Sequence, residues 1–325
     1  MTDKQKELLR TVLLLGGTGT AGSAAARGLI DQGHKVIAVV RAPSLSLPSE
    51  VDQRVGDLSA IEELVSPELE GTSIDAIVSC LASRTGLPAD AWAVDCDAHL
   101  RVLELAKKHD VRRFIYLSAI CVQKPKLAFQ QAKLAFEDAL KSSGLNYSIV
   151  RPTAFFKSLS GQADRLRRGK PYLMFGDGAL TACKPISDDD LGRFIALCVT
   201  DLSKCNSVLP IGGPGPALTP VEQGALLADA FKKPFKAHRV PPAFLSSIIA
   251  LAAFLGRFSQ TWRDRAEFAR IGHYYATESM LVWNDKVGAY DAETTPEFGA
   301  DRLEDHYRRI ARGELKPDLG AHAVF

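Results

Sequence analysis

Residues 11–22 read Thr11-Val12-Leu13-Leu14-Leu15-Gly16-Gly17-Thr18-Gly19-Thr20-Ala21-Gly22. An apolar run leads into a glycine-rich segment, and the small residues Ser23 to Ala26 follow it. This order predicts a β-strand, a tight turn and the start of a helix. Glycines at such a turn let the backbone approach a pyrophosphate, and the helix N-terminus supplies free N–H groups and a positive dipole end. The stretch therefore predicts a dinucleotide-binding site, and a glycine turn without a ligand is the alternative.

The end of the second predicted strand indicates which dinucleotide binds. In folds that bind NADH, an Asp or Glu about 20 residues after the glycines accepts a hydrogen bond from the ribose 2′-hydroxyl. Here Arg41 stands 19 residues after Gly22, and no acid occupies that strand end. A carboxylate would repel a 2′-phosphate, whereas a guanidinium can bind it with two hydrogen bonds. The sequence therefore predicts NADPH as the cofactor, with a solvated surface arginine as the alternative.

Further cofactor contacts are expected at the carboxyl ends of the predicted strands, because ligands of open α/β sheets bind there. The predicted contacts in and after the glycine turn are Gly16, Thr18, Gly19, Thr20 and Gly22. Those beyond the third and fourth strands are Asp57, at the adenine edge, Leu58, Leu81 and Ala82. Those from the later strands and the helix between them are Ser118, Lys133 and Pro152.

Strand and helix patterns alternate from residue 11 to about 152. Strands are predicted near 12–15, 35–40, 53–55, 76–80, 113–118 and 147–150, and helices near 22–32, 60–65, 91–109 and 126–142. This alternation predicts an α/β fold with a Rossmann-type, doubly wound parallel sheet. After Pro152 the pattern loosens and loops rich in Gly and Pro appear. We predict an NADP-binding domain over 1–152 and a smaller, mixed α/β substrate lobe over 153–325, folded back on the sheet.

Composition excludes several classes of function. The 325 residues carry a net charge of +2, with 46% hydrophobic and 24% charged residues, as in ordinary globular proteins. The small net charge argues against nucleic-acid binding. The six cysteines lack metal-type spacing, and the acid run 188–190 suits a helix N-terminus, so no metal site is predicted. Reduced thiols and a polar stretch over 1–10 predict a cytoplasmic protein.

One apolar segment stands out in the second half of the chain. Residues 243–255 read Ala-Phe-Leu-Ser-Ser-Ile-Ile-Ala-Leu-Ala-Ala-Phe-Leu. At 13 residues the segment is too short to span a bilayer. It predicts a buried helix, and an exposed patch for an apolar substrate or a membrane surface is the alternative.

The residues expected for carbonyl reduction are incomplete. Short-chain dehydrogenases use a Ser with a Tyr that stands four residues before a Lys on one helix face, and the Tyr protonates the carbonyl oxygen. Ser118 and Lys133 are present, but Phe129 occupies the position of the Tyr. Phenylalanine cannot donate a proton. The sequence therefore favours reduction of a polarised carbon–carbon double bond, or a protein that senses NADPH without catalysis.

Several sequence blocks carry a family resemblance over about residues 11 to 310. They are Gln123-Lys124-Pro125, Phe129-Gln130-Gln131-Ala132-Lys133, Arg151-Pro152-Thr153-Ala154-Phe155-Phe156-Lys157 and Tyr274-Tyr275-Ala276-Thr277-Glu278-Ser279-Met280. The chain resembles the atypical short-chain dehydrogenases with NmrA-type domains, and among them the 8-vinyl reductases of divinyl (proto)chlorophyllide. The resemblance implies NADPH-dependent reduction of the C8 vinyl group of a magnesium tetrapyrrole to ethyl in chlorophyll or bacteriochlorophyll synthesis. An NmrA-like redox sensor and another enone or quinone reductase are the alternatives.

The same resemblance implies a set of site residues. Hydride addition leaves a charge that the macrocycle can accept, so the protein mainly positions two flat rings and excludes water. The predicted catalytic residues are Lys133, Tyr274 and Tyr275, and His273, Glu278 and bulk water are further candidate proton sources. The predicted substrate contacts are Phe129, Phe155, Phe156, His273 and Glu278, and the candidate cations for a propionate are Lys157, Arg165, Arg167 and Arg168. The pigment is the predicted partner, with loose contact to a photosynthetic membrane.

Overall fold

The computed structural model describes residues 9–61, 63 and 74–316. Its centre is a sheet of seven parallel strands in the order β3-β2-β1-β4-β5-β6-β8. The strands are β1 (Thr11–Leu15), β2 (Lys35–Val40), β3 (Asp52–Val55), β4 (Ala76–Ser79), β5 (Arg113–Leu117), β6 (Asn146–Pro152) and β8 (Ser207–Ile211). This topology confirms the predicted α/β class with a doubly wound parallel sheet. The helix predicted over 60–65 lies largely outside the described residues.

Helices cover both faces of the sheet. They are α1 (Thr20–Asp31), α2 (Pro88–Ala91, a π-helical segment Trp92–Ala98 and His99–Lys108 in succession), α3 (Ala128–Lys141) and α6 (Asp188–Thr200). Alternate residues of β1 enter two separate cores, with Val12 and Leu14 on one face and Leu13 and Leu15 on the other. Such two-sided burial explains the continuous apolar run in this strand. Helices α1 and α6 pack backbone to backbone, since a Cβ on Gly28 would lie 2.7 Å from the carbonyl oxygen of Gly192.

The sheet domain extends past the predicted boundary at residue 152. Strand β8 pairs in parallel with β6, in a register that places Pro152 opposite Ile211. Helix α6 packs against α1 on the same face of the sheet. Strand β8 was not predicted. It contains Pro210, and a proline, which lacks an N–H, is tolerated here because β8 lies at the sheet edge. The chain therefore leaves the sheet after β6 and returns to its edge as β8.

The remaining elements form a mixed α/β lobe. Its strands are β7 (Tyr172–Phe175), β9 (Ala237–Val240), β10 (Val282–Asn284) and β11 (Ala289–Asp291), and β7 pairs with β9 while β10 pairs with β11. Its helices are α4 (Phe156–Leu159), α5 (Ala163–Arg167), α7 (Pro220–Ala230), α8 (Pro242–Leu255), α9 (Gln260–Thr277) and α10 (Leu303–Arg312). Within the described residues, no helix is long and apolar enough to cross a membrane.

The apolar segment 243–255 forms most of α8, but it is not a buried helix. Phe244 is 59% exposed and Leu251 is 60% exposed, whereas Ala252 is buried. Among the elements that the structure describes, only α9 packs extensively on α8, so one apolar side is covered and the other is left exposed. The prediction of burial is therefore wrong, because hydropathy alone does not show how many neighbours a helix has.

Candidate cofactor-binding and active site

The turn after β1 is shaped for close approach of a ligand to the backbone. Gly16 has a φ of +72°, and a Cβ there would lie 2.7 Å from the backbone carbon of Cys80, at the end of β4. A Cβ on Gly22 would collide with the carbonyl oxygen of Gly16. Gly19 caps α1 without a side-chain hydrogen bond, and the first turn of α1 contains no acid. The N–H groups of that turn are therefore available, and the cradle fits the diphosphate of a dinucleotide.

A lysine from the other half of the chain reaches this turn. The Nζ of Lys157 donates a 2.7 Å hydrogen bond to the Oγ1 of Thr20, the first residue of α1. The short helix α4 begins just after β6 and carries Lys157 to this position. The resemblance suggested a substrate propionate as one partner for this lysine. Its position instead adds a positive charge to the predicted diphosphate site.

Asp188, the first residue of α6, lies near the same lysine. Burial raises the pKa of Asp188 to about 6, although the charge of Lys157 acts in the opposite direction. The Oδ1 of Asp188 has no hydrogen-bond partner in the part of the chain that the structure describes. Because a buried carboxylate without hydrogen bonds is costly, this acid reduces stability when it is ionised.

The Asp188→Asn variant is expected to be more stable than the wild type at about pH 8 and equally stable at about pH 4. The folded state binds the proton more tightly between pH 3.8 and about 6, so stability is lost as the pH rises through that window. The expected gain is about 1–2 kcal/mol, measured as the midpoint of thermal unfolding against pH. The control is Asp189→Asn, since Asp189 is exposed and paired with Arg27 at 2.6 Å. Higher stability at pH 8 in both variants, or in neither, would contradict this account.

The carboxyl ends of β2 and β3 form the opposite side of the predicted cofactor site. Arg41 follows β2 directly and is exposed, and Asp57 and Leu58 follow β3, which pairs with β2 in parallel. Leu81 and Ala82 follow β4 and border the glycine turn, because Gly16 lies against the backbone of Leu81. The fold therefore brings these predicted contacts to one edge of the sheet, as expected for strands that run parallel.

Lys133 is held by a partner that the sequence did not reveal. Its Nζ lies 3.0 Å from the Oδ1 of Asp95, in the π-helical segment of α2, and both side chains are buried. The Nζ also lies 5.4 Å from the ring centre of Tyr116. Burial disfavours the charged ammonium, but Tyr116 and Asp95 outweigh it and hold the pKa of Lys133 above its usual range. Lys133 is therefore a fixed cation at the carboxyl ends of β4 and β5.

The hydroxyl of Ser118 is bonded within the protein. Its Oγ donates a 2.6 Å hydrogen bond to the Oε1 of Glu137, a fully buried carboxylate on α3. The same oxygen accepts a 3.0 Å hydrogen bond from the Nε of Arg151 on β6. The three side chains tie α3 to the ends of two strands. These contacts give Ser118 a structural role, and its contact with the cofactor stays a prediction. Pro152, the last residue of β6, is buried at the same edge of the sheet.

The two adjacent tyrosines of α9 have different environments. Tyr274 is 3% exposed, and its hydroxyl donates to the carbonyl oxygens of Cys121, at 2.8 Å, and Lys124, at 3.1 Å. We therefore place Tyr274 among the packing residues. Tyr275 is 45% exposed, yet its hydroxyl lies against the buried thiol of Cys121. Burial of that end raises the pKa of the Tyr275 phenol well above its usual range, so the phenol stays protonated near neutral pH.

Phe129 stands one helical turn before Lys133 on α3 and lies at an apolar junction. A Cβ on Gly86 would lie 3.5 Å from the ring of Phe129 and 3.2 Å from the side chain of Ile271 on α9. Phe268, Ile271 and Tyr275 recur on α9 at intervals of three and four residues and share one face of the helix. Phe268 and Tyr275 are partly exposed. Phe129 and this face together form an apolar wall near Lys133.

The other predicted substrate residues lie elsewhere. Phe156 is buried in the lobe core against His306, and Phe155 packs against the core under the sheet, so we assign both to packing. The Nε2 of His273 lies 3.3 Å from the Oγ of Ser246, between α9 and α8. Arg165 bonds the carbonyl of Pro171 within the lobe. His273 and Arg165 therefore make contacts within the protein. Arg167 pairs with Asp164, and no contact assigns Arg168 to the site.

Glu278 ends α9 and is the centre of a charged cluster. It pairs with Lys126, and its Oε2 accepts a 2.6 Å hydrogen bond from Tyr290. Lys124 lies 3.6 Å from the same oxygen, with its Nζ 3.3 Å from the ring centre of Trp283. Burial would raise the pKa of Glu278, but the hydrogen bonds from Lys126 and Tyr290 hold it below its usual range. An ionised, paired carboxylate is a poor proton donor.

Sequence reasoning missed three parts of this site: Asp95, the wall residues Phe268 and Ile271, and the contact of Lys157 with the glycine turn. The spacing of Phe268, Ile271 and Tyr275 was a usable signal for a shared helix face. Asp95 and Lys157 had no such signal, because each meets a partner 38 or 137 residues away in the chain.

Comparison with known proteins shows which family this chain belongs to. The profile of a family described as NAD(P)H-binding matches residues 16–202. The divinyl chlorophyllide a 8-vinyl-reductase of Cucumis sativus is 44% identical over 333 residues, which cover 97% of this chain and 79% of that protein. The protein of the same name from Zea mays is 43% identical over 332 residues, covering 97% of this chain and 83% of that protein.

A solved structure matches the fold as a whole. The NADPH-dependent quinone oxidoreductase QOR2 of Escherichia coli, in complex with NADPH, superposes with a TM-score of 0.67 at 18% identity, covering 92% of this chain and 99% of that chain. At this identity the match shows the fold alone. The glycine turn, the seven-stranded sheet and the near full-length identity to the plant proteins together show that the chain belongs to the divinyl chlorophyllide a 8-vinyl-reductase family of NAD(P)H-binding oxidoreductases.

Proposed function

We propose that this protein uses NADPH to reduce the C8 vinyl group of divinyl chlorophyllide a to an ethyl group. Family membership supports the proposal, and one observation in the site carries it. Phe129 stands where carbonyl-reducing relatives of this fold need an acid, and it lies beside an apolar wall that ends at Tyr275. Such a site suits a flat, conjugated substrate whose reduction produces no oxyanion.

The residues that would hold the cofactor lie along the carboxyl edge of the sheet. The glycine turn and Lys157 would bind the diphosphate, and Arg41 would bind the 2′-phosphate. Lys133, fixed by Asp95, would bind the ribose next to the nicotinamide. When bound, NADPH supplies the hydride that the reduction requires. The residues present therefore fit this cofactor.

The chain's own contribution to the chemistry is to orient the substrate, exclude water and supply a proton. Phe129 and the α9 face would hold the macrocycle, which delocalises the negative charge that develops during reduction. One proton must then reach the vinyl carbon that does not receive the hydride. Tyr275 is the proposed donor, because its side chain is 45% exposed at this wall, whereas Tyr274 is buried and its hydroxyl is bonded to two carbonyls.

The deciding experiment is anaerobic incubation of the purified protein with NADPH and divinyl chlorophyllide a. A blue shift of the Soret band and a product heavier by two hydrogens, without added ferredoxin, would support the proposal. Tyr275→Phe and Phe129→Tyr are the follow-up variants. Absence of turnover with NADPH binding retained would favour an NADPH sensor or another double-bond substrate. We extend the proposal to divinyl protochlorophyllide a and to bacteriochlorophyll synthesis, and parallel assays with both pigments test that extension.

Arg41→Ala is expected to weaken NADPH binding by about 10–100-fold and to leave NADH binding unchanged. The reason is the loss of two charge-assisted hydrogen bonds to a phosphate that NADH lacks. Cofactor fluorescence titration measures both dissociation constants. The control is Arg101→Ala, an exposed arginine on α2 far along the chain from the strand ends. Equal weakening of NADPH and NADH would show that Arg41 does not bind the 2′-phosphate.

Lys157→Met is expected to weaken the binding of NADPH and of NADH to the same degree, by about tenfold. The lysine lies at the diphosphate end of the site, and both cofactors carry the diphosphate. Lys157→Arg keeps the charge and is expected to retain most of the affinity. The same titrations therefore separate the two cations. A selective loss of NADPH with Lys157→Met would place the 2′-phosphate, and not the diphosphate, beside this lysine.

A further inference from the structure

Helix α8 carries an apolar stripe on its outer side, and no element within residues 9–61 or 74–316 covers it. Phe244, Ile248, Leu251 and Phe254 recur at intervals of four, three and three residues, so they share one side of the helix. Their exposed fractions are 59%, 40%, 60% and 57%, and Phe258, just after the helix, is 80% exposed. Large apolar side chains exposed together in this way mark an interaction surface.

The chain segment that carries this stripe contains cations and no acid. Residues 230–263 contain β9, α8 and the start of α9, and they include no Asp or Glu. The six cations in this range are Lys232, Lys233, Lys236, Arg239, Arg257 and Arg263. The segment alone carries a charge of +6, whereas the whole chain carries +2. Lys236 and Arg239 are exposed before α8, and Arg257 and Arg263 are exposed after it, so cations flank the stripe at both ends.

We propose that the α8 stripe and its flanking cations bind the surface of a bilayer that contains anionic lipid. The helix would lie in the interface plane, with its apolar side chains among the acyl chains and its cations at the headgroups. The 14 residues of α8 are about 21 Å long, shorter than the ~30 Å core of a bilayer, so the helix lies on the membrane and does not span it.

A second copy of the chain is a poorer occupant of this surface. In a two-fold symmetric contact the same patch meets itself. That arrangement would bring two segments of charge +6 together, with no acid in either to compensate. Juxtaposed like charges oppose association, whereas an anionic membrane attracts both ends of the stripe.

Vesicle flotation tests the proposal, using the full-length protein without NADPH or pigment. The wild type is expected to float with vesicles of phosphatidylcholine and phosphatidylglycerol, and far less with phosphatidylcholine alone. The double variant L251S/F254S is expected to lose binding by at least about tenfold. The matched control is L202S/V287S, because Leu202 and Val287 are also strongly exposed, at 80% and 72%, but lie outside the stripe. It is expected to bind like the wild type.

A second variant separates charge from hydrophobic contact. Arg257→Gln with Arg263→Gln leaves the stripe intact but removes the cations at one of its ends, so it is expected to reduce the preference for anionic vesicles, as high salt does for the wild type. Failure of the wild type to float with anionic vesicles would overturn the proposal, as would equal losses in the stripe and control variants. A dimer that L251S/F254S converts to a monomer, with flotation unchanged, would identify a subunit interface instead. Because no substrate is present, these outcomes are independent of whether the protein reduces the pigment.

Discussion

Lys133→Met is expected to lower turnover by at least about 100-fold and the free energy of unfolding by about 3–5 kcal/mol. The Nζ of Lys133 lies 3.0 Å from the Oδ1 of Asp95, and both side chains are buried. Removing the lysine leaves a buried carboxylate without its cation, which is the costly part of breaking a buried pair. It also removes the cation that the proposed site offers to the nicotinamide ribose. Single-turnover absorbance and urea unfolding measure the two effects.

A double variant separates stability from catalysis. In Asp95→Asn with Lys133→Met, neither charge remains buried, so most of the lost stability is expected to return while turnover stays low. The single variant Asp95→Asn retains the lysine and tests whether its position, and not only its charge, matters. A double variant that regains wild-type turnover would show that Lys133 serves the fold and not the reaction.

Gly22→Ala is expected to weaken NADPH binding by about 30–100-fold. The new Cβ would collide with the carbonyl oxygen of Gly16, which belongs to the same turn and cannot move away without changing the cradle. Gly16 is itself confined, because it packs against the backbone of Cys80 and Leu81. The turn must therefore shift away from α1, and the N–H groups at the start of that helix no longer converge with it on the diphosphate.

The matched control for this variant is Gly144→Ala. Gly144 has a positive φ of +82°, unlike Gly22 in α1, but a Cβ there would meet nothing within 4 Å. This control is expected to lose a little stability through backbone strain and to bind NADPH as the wild type does. Calorimetric titration with NADPH checks both variants. Wild-type affinity in Gly22→Ala would mean that the turn does not bind the diphosphate.

Local features of the sequence predicted most of the sheet and the cofactor. The glycine turn, the presence of Arg41 in place of an acid, and the alternation of strands and helices are all signals within short stretches of sequence. The observed topology and the family membership confirm the fold class and the nicotinamide cofactor. The helix predicted over 91–109 corresponds to α2, which begins at Pro88 and is π-helical over Trp92–Ala98. The hydrophobic repeat of 3.6 residues that predicts an α-helix could not reveal this π-helical segment, which contains Asp95, the partner of Lys133.

Strand β8 and helix α8 show two limits of prediction from local sequence features. Strand β8 contains Pro210, which argues against a strand until its position at the sheet edge is known. Helix α8 is strongly apolar, and composition predicted a buried helix, but α9 is the only described element that packs extensively against it. Burial depends on the number of neighbours an element has, and that number is a property of the assembled fold.

By itself, the sequence determined that this chain forms a dinucleotide cradle at the end of β1 and that Phe129 replaces a proton donor. Both follow from residue type at a fixed local spacing. Only the tertiary structure decided that Lys133 pairs with Asp95, that Ser118 turns to Glu137, and that Lys157 reaches Thr20. A side chain's partner is whichever group the packed backbone brings within about 3 Å, and a sequence carries no distance information across 19, 38 or 137 residues.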